Sequence, residues 1–256
     1  MGNCYTLFLS MRATTWEFAN RAMIFGLIFG VSFPLYVLDR RNSTEALANW
    51  LAPRMGMGED AELLMRCLFF AAVGLLAIAA LIRTWASAYL QADVVYASEV
   101  KTQTVVADGP YRHVRNPLYF ANIIMAFGMG AMMSRPGFFV VVVAMWVFCY
   151  RLILREEADL LANQGQRYDG YRKAVPRLLM SPWPRIPSAG QRPRWRNGFL
   201  AELWSWGFAA SVLGFAVTFN LPVFFVILGA SLLVFWVGSM MMGRKAKTQS
   251  SDGQDL

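Results

Sequence analysis

Histidine is almost missing from this chain: His113 stands alone among 256 residues. A zinc or iron centre built on imidazole ligands is therefore excluded, and no metal site is expected. Cysteine is scarce too. Cys4, Cys67 and Cys149 are too few and too scattered for a disulfide framework, and the last two lie in apolar runs where a buried thiol acts as a small hydrophobe. Charged residues make up only 16% of the chain. The net charge of +8 comes without a Lys/Arg tract interleaved with aromatics, so nucleic acid is not an expected partner. No segment repeats at a fixed spacing, and no strand–glycine loop–helix pattern of the nucleotide-binding kind occurs. Gly128-Met129-Gly130 falls inside an apolar run, where small residues serve helix packing.

What the chain does have is apolar length. Hydrophobic residues make up 57% of it and aromatics 14%. A bilayer core about 30 Å thick is crossed by roughly 20 apolar residues in a helix. Six runs are expected to be spans: residues 22–38, 63–82, 118–133, 138–154, 199–219 and 223–242. Ser134-Arg135-Pro136-Gly137 and Asn220-Leu221-Pro222 mark the tips of two hairpins. The fold class is thus all-α, a polytopic integral membrane protein with about six transmembrane helices. Arg and Lys outnumber Asp and Glu between Arg155 and Arg196, and Arg244, Lys245 and Lys247 follow the last run. The positive-inside rule puts that side in the cytoplasm, although Arg40, Arg41 and Arg54 on the other side weigh against it. Arg66, inside the second run, reads as a side chain that snorkels to the interface. Met1-Gly2-Asn3-Cys4 fits a myristoylation pattern, which is short enough to arise by chance. The first apolar run reads as a retained helix rather than a signal peptide, and residues 247–256 as a polar, disordered tail.

The chemistry concentrates at one end of the hairpin 118–154. Ahead of it stands Gly109-Pro110-Tyr111-Arg112-His113-Val114-Arg115-Asn116-Pro117-Leu118-Tyr119. Two prolines stiffen this loop, and Asn116-Pro117 reads as a helix start with Asn as the cap. Behind it stand Arg155-Glu156-Glu157 and then Gln166-Arg167-Tyr168-Asp169-Gly170-Tyr171, ending in Val175-Pro176-Arg177. At 3.6 residues per turn Tyr150 and Glu157 share one helical face, and Arg151 and Arg155 share another. Ionisable groups at a membrane edge are functional candidates by default. Taken alone, the loop also fits a basic anchor for lipid phosphates, and the Glu pair a solvated helix end.

The order Gly-x-Tyr, Arg, Pro-x-Tyr, apolar hairpin, Glu-Glu, then Gly165, Tyr168, Tyr171 and Val175-Pro176-Arg177 resembles the isoprenylcysteine carboxyl methyltransferase and phospholipid methyltransferase superfamily. The likeness covers roughly residues 105–180. It implies an integral membrane enzyme that uses S-adenosylmethionine to methylate a lipophilic or lipidated acceptor amid membrane lipids, with its cofactor site facing the cytoplasm. By resemblance, Tyr111, His113, Arg115, Asn116, Tyr119, Glu156 and Glu157 bind the cofactor. Arg151, Arg155 and Glu157 are the candidate catalytic residues. Asn116 stands where the family usually has histidine; it hydrogen-bonds but does not titrate, which removes a proton-transfer role there.

The expected organisation is N-terminal helices in 1–100, a methyltransferase core in 101–187, a linker and C-terminal hairpin in 188–243, and the tail 244–256. That hairpin lies beyond the shared core and is expected to be accessory, so that a chain ending near Asn197 would still bind cofactor. Two rivals are a sterol-type membrane reductase using NADPH and a non-catalytic membrane scaffold of the same fold. Phe120-Ala121-Asn122 lacks the glutamate that reductases carry there, and the intact Glu pair argues against a scaffold.

Overall fold

A computed structural model of the chain describes residues 11–57, 60–90 and 108–252. The N-terminal acylation pattern with Cys4, and the opening of the expected core region, lie outside the described residues. Ten α-helices are described: α1 Thr15–Ala19, α2 Arg21–Ser32, α3 Ser43–Leu51, α4 Ala61–Tyr89, α5 Pro117–Gly130, α6 Arg135–Gln164, α7 Gln166–Ala174, α8 Trp195–Ala201, α9 Leu203–Thr218 and α10 Leu221–Asp252. Short 3-10 turns cover Phe33–Val37, Ala52–Met55 and Gly109–Arg112. Among the described residues no strand forms, and Asn42 and Ser134 make an isolated bridge.

The apolar runs are all helical, but the count of spans differs from six. Ala61–Tyr89, Arg135–Gln164 and Leu221–Gly238 are long and apolar enough to cross a membrane. Trp195–Ala201 with Leu203–Thr218 makes a fourth if the pair, bent by 60°, is one broken span. Helix α5 has 14 residues, which at 1.5 Å each is about 21 Å and short of a bilayer core. Arg21–Val37 is likewise a shorter apolar helix. The tail also departs from expectation, since α10 continues to Asp252. Arg66 is where the sequence suggests, partly exposed, bonded to Glu62 at 3.1 Å and stacked 4.4 Å above the Phe219 ring, away from the cavity described below.

Helix α5 is central, packed between α4 and α6. A Cβ on Gly128 would lie 2.6 Å from the Leu76 side chain, so α4 and α5 approach closely only with glycine there. Gly198 does the same for α8, where a Cβ would stand 2.7 Å from backbone atoms of Thr84 and Ala88. One apolar cluster joins α4, α5, α9 and α10 around Phe69, Leu76, Met125, Met129, Val212 and Phe224. A second joins the N-terminal helices to α5 and α6 around Phe18, Ile123, Met145, Phe148 and Leu152. Helix α6 begins at Ser134, whose hydroxyl accepts from the Gly137 amide, and Pro136 occupies its first turn.

Candidate cofactor and acceptor site

The loop before α5 and the segment after α7 are knitted together by their backbones. Arg115 N–H donates to the Pro176 carbonyl at 2.9 Å, Ser181 N–H to His113 at 3.0 Å and Arg185 N–H to Arg112 at 2.8 Å. The Tyr171 hydroxyl donates to the Tyr111 carbonyl at 2.8 Å. Asp108 ties down the linker: Ser188 Oγ donates to its carboxylate at 2.5 Å, and the amides of Ala189 and Gln191 at 2.9 and 2.8 Å. Burial opposes ionisation of Asp108, but these donors and the nearby Arg112 outweigh it and hold the carboxyl below its ordinary range.

Glu157 is the clamp beneath this loop. It lies 3.3 Å from Arg115 Nη2 and 3.0 Å from Arg177 Nε, and Asn116 Nδ2 donates to it at 3.1 Å. Arg177 also donates to the Tyr150 hydroxyl at 3.1 Å, so Tyr150 and Glu157 do share a face. Asn116 occupies the N-cap of α5 but makes no side-chain capping bond. Its amide is spent on Glu157 and on the Arg177 carbonyl, which corrects the capping role expected from sequence.

Above the clamp opens a cavity of about 700 Å³. Tyr111, Arg115, Asn116, Tyr119, Glu156 and Tyr171 line its polar end. The Tyr119 hydroxyl donates to Glu156 Oε1 at 2.7 Å. Arg115 has a side chain only 7% exposed, yet its Nε and Nη1 have no hydrogen-bond partner among the described residues. A buried guanidinium with open donors is costly unless an anionic group meets it. Burial raises the Tyr111, Tyr168 and Tyr171 hydroxyls above their ordinary range, so all three stay protonated at neutral pH. The rest of the lining is largely apolar and includes Phe25, Phe29, Phe33, Met125, Met129 and Phe208.

The cavity therefore gathers Tyr111, Arg115, Asn116, Tyr119 and Glu156 from the sequence candidates, and not the others. Glu157 is occupied by Arg115 and Arg177. His113 Nδ1 is 2.9 Å from the Ser181 carbonyl, and its ring lies 5.6 Å from that of Trp85. Arg151 and Arg155 do share a face, but it is turned to the N-terminal segment. Arg151 pairs with Glu17 at 2.8 Å, while Arg155 donates to the Ala13 carbonyl and to Thr15, each at 3.2 Å.

Sequence reading missed Arg83 and Glu202. Arg83 lines the cavity, bonds Glu202 at 2.6 Å through Nε, gives Nη1 to Asn122 Oδ1 at 2.6 Å, and stacks 4.6 Å from the Trp204 ring. Ser87 Oγ donates to Glu202 at 2.6 Å. A signal was present: Glu202 is a carboxylate inside an apolar run, and Arg83 immediately follows another.

Comparison with known proteins adds to this geometry. Residues 67–164 match the family model for phospholipid methyltransferases. Protein-S-isoprenylcysteine O-methyltransferase of Schizosaccharomyces pombe is 30% identical over 159 residues, covering 50% of this chain and 65% of that protein. Two bacterial proteins are similar over 82 residues, 32% of this chain and 38% of each of them. They are the nickel-cobalt-cadmium resistance protein NccN of Alcaligenes xylosoxydans xylosoxydans, 29% identical, and the cobalt-zinc-cadmium resistance protein CzcN of Cupriavidus metallidurans, 30% identical. The chain thus spans less than two thirds of the length of each of these relatives. No solved structure matches it significantly.

Proposed function

From the chain's membership of the isoprenylcysteine carboxyl methyltransferase and phospholipid methyltransferase superfamily, we propose that it transfers a methyl group from S-adenosylmethionine to a membrane-associated lipid or lipidated acceptor. The observation that carries this reading is the presence of opposite charges in the cavity lining: Arg115 with two open donors, and Glu156, which accepts from the Tyr119 hydroxyl. A ligand bearing both a carboxylate and an ammonium group fits that wall. Arg115 would take the carboxylate, Glu156 the ammonium, and Tyr111, Tyr119 and Tyr171 would surround the cation with aromatic faces. S-adenosylmethionine, when bound, supplies a methyl group activated on a sulfonium.

The protein's own part is alignment and dryness. Glu157 and Arg177 hold the Arg115–Asn116 loop against α6, which keeps the open nitrogens of Arg115 toward the cavity. The tyrosines, protonated and buried, exclude water from the polar end. The apolar lining offers Phe and Met side chains to a hydrocarbon chain, in keeping with an acceptor drawn from the bilayer. A carboxylate or thiolate acceptor needs no base, whereas an amine must lose a proton before or during attack. The basic stretch from Arg155 to Arg196 adjoins the polar end, and the positive-inside rule supports a cytoplasmic cofactor site.

Calorimetric titration of the purified full chain tests the cofactor: S-adenosylhomocysteine binds, and NADPH gives no signal. Binding of NADPH alone would overturn the reading in favour of a reductase. Methyl-labelled cofactor incubated with the protein and native lipid extract then identifies the acceptor.

A further inference from the structure

The linker between α7 and α8 is tied down as a strap across the end of a span. Helix α4 is long and apolar enough to cross a bilayer and stops at Tyr89, so its last turn lies at the level of the lipid headgroups. A helix leaves its final carbonyls without internal donors. The linker supplies two: the Arg194 amide donates to Ala88 at 2.7 Å, and Gln191 Nε2 to Tyr89 at 2.9 Å. Gln191, Arg192 and Arg194 thereby border a cavity of about 330 Å³ beside the end of α4. The strap is also basic and greasy at once. Residues 170–201 contain no Asp or Glu. Arg185, Arg192, Arg194 and Arg196 are exposed, and the last three make no ion pair among the described residues. Between them stand Leu179 and Trp183, 72% and 76% exposed, and Trp195 and Phe199, which are exposed one helical turn apart on α8. Water alone gives no reason to interleave tryptophan, leucine and phenylalanine with arginine. A bilayer interface does, because phosphates meet the guanidinium groups while indole rings settle at headgroup depth.

We infer that residues 179–199 form a docking surface for anionic phospholipid headgroups of the membrane the protein spans. The surface lies beyond residues 67–164, outside the matched region. Its place at the end of α4 sets it against headgroups before any soluble polyanion. It is also continuous with the loop that carries Arg115: the Ser181 and Arg185 amides donate to the carbonyls of His113 and Arg112, and Arg185 Nε donates to Ser181 Oγ at 3.0 Å. Lipid phosphates that hold the strap therefore steady that loop, and the cofactor site responds to the charge of the bilayer. This coupling rests on the function proposed above; the docking surface itself rests on the exposed arginines and aromatics.

The test places the full chain in phosphatidylcholine vesicles holding a trace of phosphatidylglycerol, or of phosphatidylcholine, with a diazirine near the glycerol end of one acyl chain. After illumination, mass spectrometry compares the label that each lipid leaves on Trp183 and Trp195. Phosphatidylglycerol labels them at least about fivefold more, the factor expected for one engaged arginine. The excess vanishes in 0.5 M sodium chloride, where the screening length is about 4 Å. It vanishes also in the Arg192→Gln/Arg194→Gln/Arg196→Gln variant. Arg40→Gln/Arg41→Gln is the control and keeps it, because these exposed arginines lie at the other end of the molecule, where Arg41 accepts from the first amide of α6. Equal labelling by the two lipids in the parent, or an excess that survives in the triple variant, overturns the docking surface. S-adenosylhomocysteine affinity is then measured in phosphatidylcholine and in 3:1 phosphatidylcholine–phosphatidylglycerol vesicles. It is several-fold tighter in the anionic vesicles for the parent and alike in both for the triple variant. Affinity indifferent to lipid charge in the parent overturns the coupling. Failure of the parent to bind S-adenosylhomocysteine in either lipid overturns the methyltransferase reading instead, while the labelling still decides the docking surface.

Discussion

Arg83 and Glu202 lie 119 residues apart in sequence and meet at 2.6 Å, with Glu202 fully buried and Arg83 6% exposed. Glu202 sits at the break between α8 and α9, so this pair pins the C-terminal hairpin to α4 and, through Asn122, to α5. The hairpin is consequently part of the cavity rather than an appendage, since Trp204, Phe208 and Leu228 stand in its wall.

Breaking that pair should be expensive. Removing one partner of a buried ion pair leaves an uncompensated charge and costs about 3–5 kcal/mol. Glu202→Gln or Arg83→Met alone should therefore lower the thermal unfolding midpoint in detergent sharply. The apolar double variant Arg83→Met/Glu202→Leu should regain most of the loss, because no charge is then left buried. Equal instability of the double and single variants would show that the pair's hydrogen bonds, not its charge balance, hold the hairpin.

A chain ending at Asn197 is expected to lose S-adenosylhomocysteine binding, against the expectation drawn from sequence that the last hairpin is dispensable. Truncation strips Glu202 from Arg83 and unroofs the cavity. Retained affinity in a folded truncation would show that the polar end stands without its roof.

Glu156 and Glu157 should differ in kind. Glu156→Gln removes a charge from the cavity wall, and a hydrogen bond to a charged group contributes about 1.5–3 kcal/mol. At about 1.4 kcal/mol per tenfold change, cofactor affinity should fall by roughly one to two decades with little effect on unfolding. Glu157→Gln should instead lower stability, because Arg115 and Arg177 lose their shared counter-charge. Calorimetry and thermal melts on both variants separate the two roles.

Asp108 carries a dependence on pH. Its carboxyl is held below the ordinary range in the folded state, so its stabilisation is complete above the unfolded value, about pH 4, and fades as pH falls through the lower folded value. Asp108→Asn should reduce stability at pH 7 and flatten the acid-side loss. Melting curves recorded from pH 7 to 3 measure both.

The tyrosines give the opposite sign. Tyr168 and Tyr171 resist ionisation when folded, so stability should decline as pH rises above about 10, where only the unfolded chain ionises. Tyr171→Phe should lessen that decline in alkaline unfolding measurements.

Much of the architecture was legible beforehand. Apolar runs gave the helices, because hydrocarbon accepts only a backbone that satisfies its own hydrogen bonds. Gly109, Pro117 and the Tyr-Tyr-Val-Pro-Arg segment marked the loop and tail that knit at the polar end, since proline and glycine constrain a chain locally. The number of crossings was less legible, because hydropathy does not reveal that α5 stops at Gly130 or that the run 199–219 breaks at Glu202. Adjacent residues on a helix point about 100° apart, so sequence found Glu156-Glu157 as a pair, and only the placement of Arg115 and Arg177 decided that Glu157 would be clamped while Glu156 lined the cavity. The same holds for Arg151 and Arg155, whose shared face was readable but whose partners, Glu17 and the Ala13–Thr15 segment, were not. Arg83 and Glu202 escaped notice because their meaning lies in each other. Local chemistry was written along the chain; the pairing of distant charges was decided by how the helices pack.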